Sequence, residues 1–406
     1  MENSLRATAV LFAITTFVTA YPALARDWYV RPDGTGDAPT IQAAIDSAAS
    51  GDEVFLTNGV FTGDGNRDID TGGKAVVIRS EGGDPDSCVI DCQANSLDPH
   101  RGFNFSNGEG PTTRLEGIMI KNGWQHGAAV RIRYASPAIM GCKMCGGKGG
   151  TGGALNISGG SEATFEDCEF FSNTASDGGA AAIGGEVRPV FISCYFHHNT
   201  ANVEGGGIRA GDASLELVDC IFTHNHGYEG GAIHLDLCES DLLITGCTFA
   251  HNSADHGAGI YNSRGSPTFE YSTFVYNGGP HIFYFGREVQ LVNCILAYSA
   301  SGPAIYCNIS DPGPTLTCCD IYGNAGGDWV GCYAAQLGIN GNLSACPSFC
   351  WADEGDYRLC DESPCAPGNH PDGYECGLIG AWEVGCSCGP TRAEPTTWGK
   401  MKAMYR

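Results

Sequence analysis

From residue 142 to residue 324 the chain repeats one short polarity pattern. A small residue comes first, a large apolar one follows two places later, and an amide follows five places later. Cys142, Cys168, Cys194, Cys220, Cys247, Cys294 and Cys319 hold the first position, and Ser272 fills it once. The successive spacings are 26, 26, 26, 27, 25, 22 and 25 residues. Met144, Phe170, Phe196, Phe222, Phe249, Phe274, Leu296 and Ile321 hold the second position. Asn173, Asn199, Asn225, Asn252, Asn277 and Asn324 hold the third, where Gly147 and Ser299 depart from the rule. A glycine motif runs in step: GGAL at 152–155, GGAA at 178–181, GGGI at 205–208, GGAI at 230–233, GAGI at 257–260 and GPAI at 302–305. The segments between glycines are short and alternate in polarity, which predicts strands.

A period near 25 without helical spacing predicts a solenoid. The LxxLxLxxN of leucine-rich repeats is absent, so the pattern fits an all-β, right-handed parallel β-helix of roughly 10–12 coils. Each coil would be three short strands, each paired with its equivalent one coil on, about 4.8 Å away. The Cys and the apolar residue would then point inward, the Asn would bond backbone at a corner, and the glycines would permit the next corner. The open ends need covers. Residues 40–51 predict an amphipathic helix with Thr40 as N-cap, an apolar stripe of Ile41, Ala44, Ile45, Ala48 and Ala49, and Gly51 as its stop. The expected organisation is a signal peptide at 1–25, an N-terminal cap at 26–63, the β-helix at 64–345, a Cys-rich C-terminal cap at 346–389, and a linker and tail at 390–406.

Charge and cysteine usage narrow the setting. The 406 residues carry a formal net charge of −24, which argues against nucleic acid and anionic membranes as partners. Arg6, the apolar run 9–20 and Ala23-Leu24-Ala25 form a targeting segment with a small-residue cleavage site. The run is too short to span a bilayer. The protein is therefore expected to be secreted or held at the outer cell surface. Seven cysteines crowd into residues 346–388, which reads as a disulfide cluster in an oxidising compartment. The odd total of 21 leaves at least one thiol without an internal partner.

GGAI at 230–233 and FTHN at 222–225 resemble the repeats of polymorphic outer-membrane proteins, which are surface β-helix adhesins. The opening WYVRPDGTGDAPTIQAAIDSAASGDEVFLTNGVF resembles the N-terminal region of the pectate-lyase-like β-helix superfamily. The shared letters are structural, so the resemblance implies a fold and leaves activity open. Polymorphic outer-membrane proteins carry a C-terminal export barrel, for which this sequence shows no counterpart, so self-export is not expected. Of the polygalacturonase-like set NxD, DD, GHG and RxK, only a DHG at 255–257 is present. Pectin methylesterase signatures are missing, and the DPH at 98–100 matches alginate epimerases without a companion motif. No complete catalytic set is found.

Two columns carry candidate chemistry. The residue before each corner Asn gives Ser172, His198, His224, His251, Tyr276 and Tyr298. Such a stripe could stack sugar rings, or its histidines could hold a metal, the alternative being a tolerant solvent position. The residue before each glycine pair gives His126, Thr151, Asp177, Glu204, Glu229 and His256. Stacked carboxylates call for a cation such as calcium or for a raised pKa, unless they splay into water. The leading expectation is a non-enzymatic, glycan-binding or adhesive module for an extracellular polysaccharide or cell-envelope component. A polysaccharide-active lyase, hydrolase or epimerase using Asp177, Glu204, Glu229 and His256 is the second, and a purely structural envelope protein the third.

Overall fold

The computed structural model describes residues 25–238, 242–285, 288–307 and 313–388. The targeting segment, apart from Ala25, and the tail at 390–406 lie outside the described residues. The chain climbs as a right-handed parallel β-helix with three sheets of 12, 11 and 10 strands. One coil contributes Thr164–Glu166 to the first sheet, Glu169–Phe171 to the second and Ala181–Val187 to the third. The next coil repeats this with Val190–Ile192, Tyr195–His197 and Ile208–Ala213.

The repeat positions superpose. Phe170, Phe196, Phe222, Phe249 and Phe274 pair in register down the second sheet. Their rings stack at 4.6, 4.6, 5.1 and 4.6 Å inside the tube. The column follows from period-two alternation, since a one-residue slip would expel every phenylalanine. The cysteines sit just before the second-sheet strands, in the bend that leaves the first sheet. Cys194 Sγ–H faces two carbonyls, Ile192 O at 3.4 Å and Phe165 O of the preceding coil at 3.6 Å. Ser272 Oγ makes the same two bonds, to Glu270 O at 3.0 Å and Ile244 O at 3.4 Å, which is why a hydroxyl can stand in for a thiol. Burial pushes the thiols of Cys142, Cys194, Cys220 and Cys294 upward, so they are packing elements rather than nucleophiles.

Asparagines build the next corner. Asn199 Nδ2 donates to Asn225 Oδ1 at 3.0 Å and to Phe170 O at 2.8 Å, and Asn173, Asn225 and Asn252 repeat the arrangement. At the Ser299 coil a histidine from another part of the sequence completes the ladder. Fully buried His281 accepts from Asn277 Nδ2 at Nδ1, 2.9 Å away. It donates from Nε2 to Asn324 Oδ1 at 3.0 Å and Ala297 O at 3.1 Å. Burial holds its pKa down at about 4, so the ring is neutral.

The ends are closed by different devices. The helix Ile41–Ser47 buries Ile41, Ala44 and Ile45, and Thr40 Oγ1 accepts from Ala43 N at 3.2 Å. It stops before the expected Gly51. Ala48 turns extended, Ala49 is exposed, and Lys74 Nζ takes the carbonyls of Ile45, Asp46 and Ala48 at 2.8–2.9 Å. First-sheet pairing already begins at Asp27–Val30, ahead of this helix. At the far end the turn Gly331–Gln336 seats buried Tyr333 against the last coil, where its hydroxyl accepts from Ile305 N at 3.3 Å. Cys307–Cys332 fastens that plug.

The Cys-rich segment, expected as a cap, also folds back along the outside of the tube. Trp382 Nε1 donates to Thr248 Oγ1 at 2.8 Å, and Ala381 N to Thr273 Oγ1 at 2.9 Å. Trp382 and Tyr357 pack with Ile221, Ala250 and Val275 on the outer face of the second sheet. Cys318–Cys376 ties the segment to the tube, and Cys350–Cys386 and Cys360–Cys388 brace it internally. Within the cluster Cys346 and Cys365 remain thiols.

Candidate functional site

The acidic row is built by corners that only glycine can make. Gly178, Gly205, Gly230 and Gly257 have φ of 65°, 65°, 73° and 62°. A Cβ on Gly205 would lie 2.1 Å from Ile208 O, so the turn excludes side chains. The residue before each glycine is thereby held at the edge of the third sheet. Thr151, Asp177, Glu204, Glu229 and His256 pair coil to coil in one register, as the spacing predicts.

The row meets a second column that the sequence reading missed. The residue immediately after each glycine motif faces outward from the third sheet: Asn156, Ala182, Arg209, His234, Tyr261 and Tyr306, with Phe283 between the last two. The signal lay one position beyond GGAI and its variants. Arg209 Nε donates to Glu204 Oε2 at 3.1 Å. His234 lies between two carboxylates, with Nδ1 3.5 Å from Glu204 Oε2 and Nε2 3.5 Å from Glu229 Oε2. A cavity of about 470 Å³ opens beside them, lined by Thr151, Asn156, Asp177, Glu204 and Arg209 over the strand backbone at 182–184.

Electrostatics follow from that crowding. Partial burial and the neighbouring Glu204 charge raise the carboxyls of Asp177 and Glu229. Burial lowers the His234 pKa, against an upward pull from Glu204. Below His234 the rings of Tyr261, Phe283 and Tyr306 continue at 5.0, 5.4 and 4.3 Å, nearly parallel. Rings stacked this way spend their faces on one another and present edges to solvent. Tyr306, the last ring of the stack, is 44% exposed.

The expected His/Tyr stripe exists as a column. His198, His224, His251, Tyr276 and Tyr298 stack at 5.0–5.4 Å with ring planes 3–17° apart. Every member has φ between 53° and 58°, a left-handed corner that Gly146 and Gly323 occupy in flanking coils. Sugar stacking needs free faces, and between neighbouring rings of this column the faces are shared. Three members also serve the returned segment. His251 Nε2 meets the Tyr357 hydroxyl at 3.1 Å, Tyr276 packs with Trp382 and its neighbours, and Tyr298 OH meets Cys346 Sγ at 3.4 Å. His198, His224 and His251 stay exposed. The stripe follows the corner after the second sheet, with its later members against the C-terminal segment, whereas the acidic row lies at the edge of the third sheet. The DPH histidine is taken up locally: His100 Nδ1 contacts Asp68 Oδ2, and its Nε2 lies 3.1 Å from Asp98 Oδ1.

Residues 141–296 match the family model described as a right handed beta helix region. No curated protein matches the chain by sequence. Among solved structures, pectate lyase Pel9A superposes with a TM-score of 0.53 at 15% identity, over 89% of this chain and 96% of that one. The PL6 family alginate lyase AlyGC aligns at 13% identity over 65% of this chain and 51% of its own, with a TM-score of only 0.23. The likeness to Pel9A establishes a shared fold, and a fold does not fix an activity. The resemblance to polymorphic outer-membrane repeats rests on the sequence letters alone.

Proposed function

We propose that this chain is a secreted or surface-held glycan-binding module, and that its working surface is the groove over the third sheet. The observation that carries this reading is the groove itself. At successive coils it presents Asn156, Asp177, Glu204 and Arg209 in register over rigid strands. A polysaccharide laid along the axis would meet a hydroxyl-bonding side chain at each strand spacing of about 4.8 Å. Charge-assisted bonds from carboxylate and guanidinium to sugar hydroxyls are the strong contacts available there. Downstream, the ring edges and the exposed part of Tyr306 would offer an apolar shelf.

Catalysis in the same groove is the second reading, and one observation favours it. Asp177 and Glu229 are carboxyls with raised pKa on either side of the Glu204–Arg209 pair, and Glu229 lies 3.5 Å from His234, a combination suited to proton transfer. One set of measurements separates the readings. The secreted chain is applied to a glycan array, then incubated with acidic and neutral polysaccharides with and without calcium. Calcium is the ion that a row of carboxylates would take. Retained binding that falls at least ~10-fold in Arg209→Ala, without any sugar release, supports the module. Release of unsaturated or reducing sugars that is lost in Glu229→Gln supports the enzyme. Binding abolished by His224→Ala and untouched by Arg209→Ala would move the site to the stripe and end the groove reading.

A further inference from the structure

We propose that Glu204, Glu229 and His234 form a site for a first-row divalent cation of the zinc type. It shares the groove with the glycan reading but does not depend on it. One donor atom from each residue lies within 4.8 Å of the other two. The decisive residue is His234. It is 3% exposed, and its buried Nδ1 has no hydrogen-bond partner.

The argument is one of lone pairs. A neutral imidazole has one N–H and one lone pair. His234 has a carboxylate opposite each nitrogen, Glu204 at Nδ1 and Glu229 at Nε2. Either neutral tautomer therefore aims a lone pair at an anion. Protonation would remove the conflict but places a charge on a ring that is almost out of water. A cation removes it without that cost, because one ring nitrogen ligates and the other donates its N–H to the remaining carboxylate. Histidines at metal centres commonly make that second bond to a carboxylate.

The donor set selects the ion. An imidazole beside one carboxylate, with its other nitrogen held by a second carboxylate, suits zinc and its first-row neighbours, whereas calcium takes oxygen ligands in larger number. The donors stand wider than ligands about 2 Å from a common ion would. Glu204 and Glu229 have side chains 28% and 27% exposed, so they have room to close in. Arg209 stays on Glu204 and offsets one of the two negative charges, which limits affinity. The sequence placed the metal on Asp177, Glu204, Glu229 and His256. The proposed site keeps the two glutamates and takes His234 from the adjacent column.

The test is calorimetric titration of chelator-treated full chain with zinc chloride and, separately, calcium chloride. The background is Cys346→Ser, which removes the exposed thiol as a rival zinc ligand. The expected result is one equivalent of zinc, bound at least ~10-fold more weakly in His234→Gln. Cobalt(II) should give an absorption spectrum without thiolate bands. If His234→Gln does not fold, as judged by circular dichroism, Glu229→Gln serves with the same expectation. No zinc binding, zinc binding unchanged by either substitution, or calcium bound as tightly as zinc would each overturn the proposal. None of these readouts involves a glycan, so the two readings can fail separately.

Discussion

The outer face of the second sheet has two halves built on the same strands, and they live in different surroundings. In the earlier coils its outward positions are Lys121, Lys143, Cys145, Glu169, Phe171, Tyr195 and His197. Polar groups there pair across coils, Lys143 with Glu169 at 3.2 Å and His197 with Glu169 at 2.9 Å. In the later coils the same positions read Ile221, Thr248, Ala250, Thr273, Val275, Ile295 and Ala297, all buried under residues 346–388. Backbone geometry is common to both halves. The side chains alone decide which half stays wet and which receives a second layer.

That contrast can be broken. The largest effect is expected from Trp382→Ala, which empties the contact over Thr248 and Ile221 and should cost about 4 kcal/mol in denaturant unfolding. Replacing Cys318 and Cys376 together by serine frees the segment from the tube. It should cost roughly 3 kcal/mol and raise amide exchange in residues 346–388 while the earlier coils stay protected.

The covered half also predicts a pH signature. Asp320 sits at an outward position, yet burial raises its pKa to about 7, with the Cys365 thiol donating at 3.2 Å. Its folded pKa exceeds the unfolded one, so its contribution is whole below about pH 4 and lost as pH rises through about 7. Asp320→Asn should flatten that dependence and stabilise the protein at pH 8 by on the order of 2 kcal/mol, read from chemical unfolding at pH 5 and pH 8.

Smaller changes sharpen the boundary. Tyr357→Phe removes only the bond to His251 and should cost about 1 kcal/mol. Lys143→Ala, in the open half, breaks surface ion pairs with Asp86 and Glu169 and should cost under ~1 kcal/mol, less in high salt. If Lys143→Ala matched Trp382→Ala, the distinction between the halves would be wrong.

The tube was legible because its signals recur: Phe, Cys and Asn at fixed offsets mark an inward ring, a bend and a corner in every coil. The acidic row was legible for the same reason, since it is tied to the glycine motif. Its partners His234 and Arg209 were not found, because their column changes character from coil to coil and no single letter repeats. The returned segment is not periodic at all. The switch from Lys143 and Glu169 to Ile221, Thr248 and Ala250 at outward positions is the mark such a cover leaves, and the sequence reading did not use it. The stripe was legible as a column, but spacing could not reveal that its neighbouring rings stack face to face.

The histidine that completes the amide ladder also bears on how this chain could grow. Between Asn173 and Asn277 each coil carries its own amide, so copying or deleting one whole coil leaves every corner supplied. Around Ser299 the corner depends on His281 reaching both Asn277 and Asn324, residues 47 apart in the chain and in different coils. Unequal crossing-over there would separate donor from acceptor. Natural length variants should therefore gain or lose coils before Asn277 and keep the stretch after it intact.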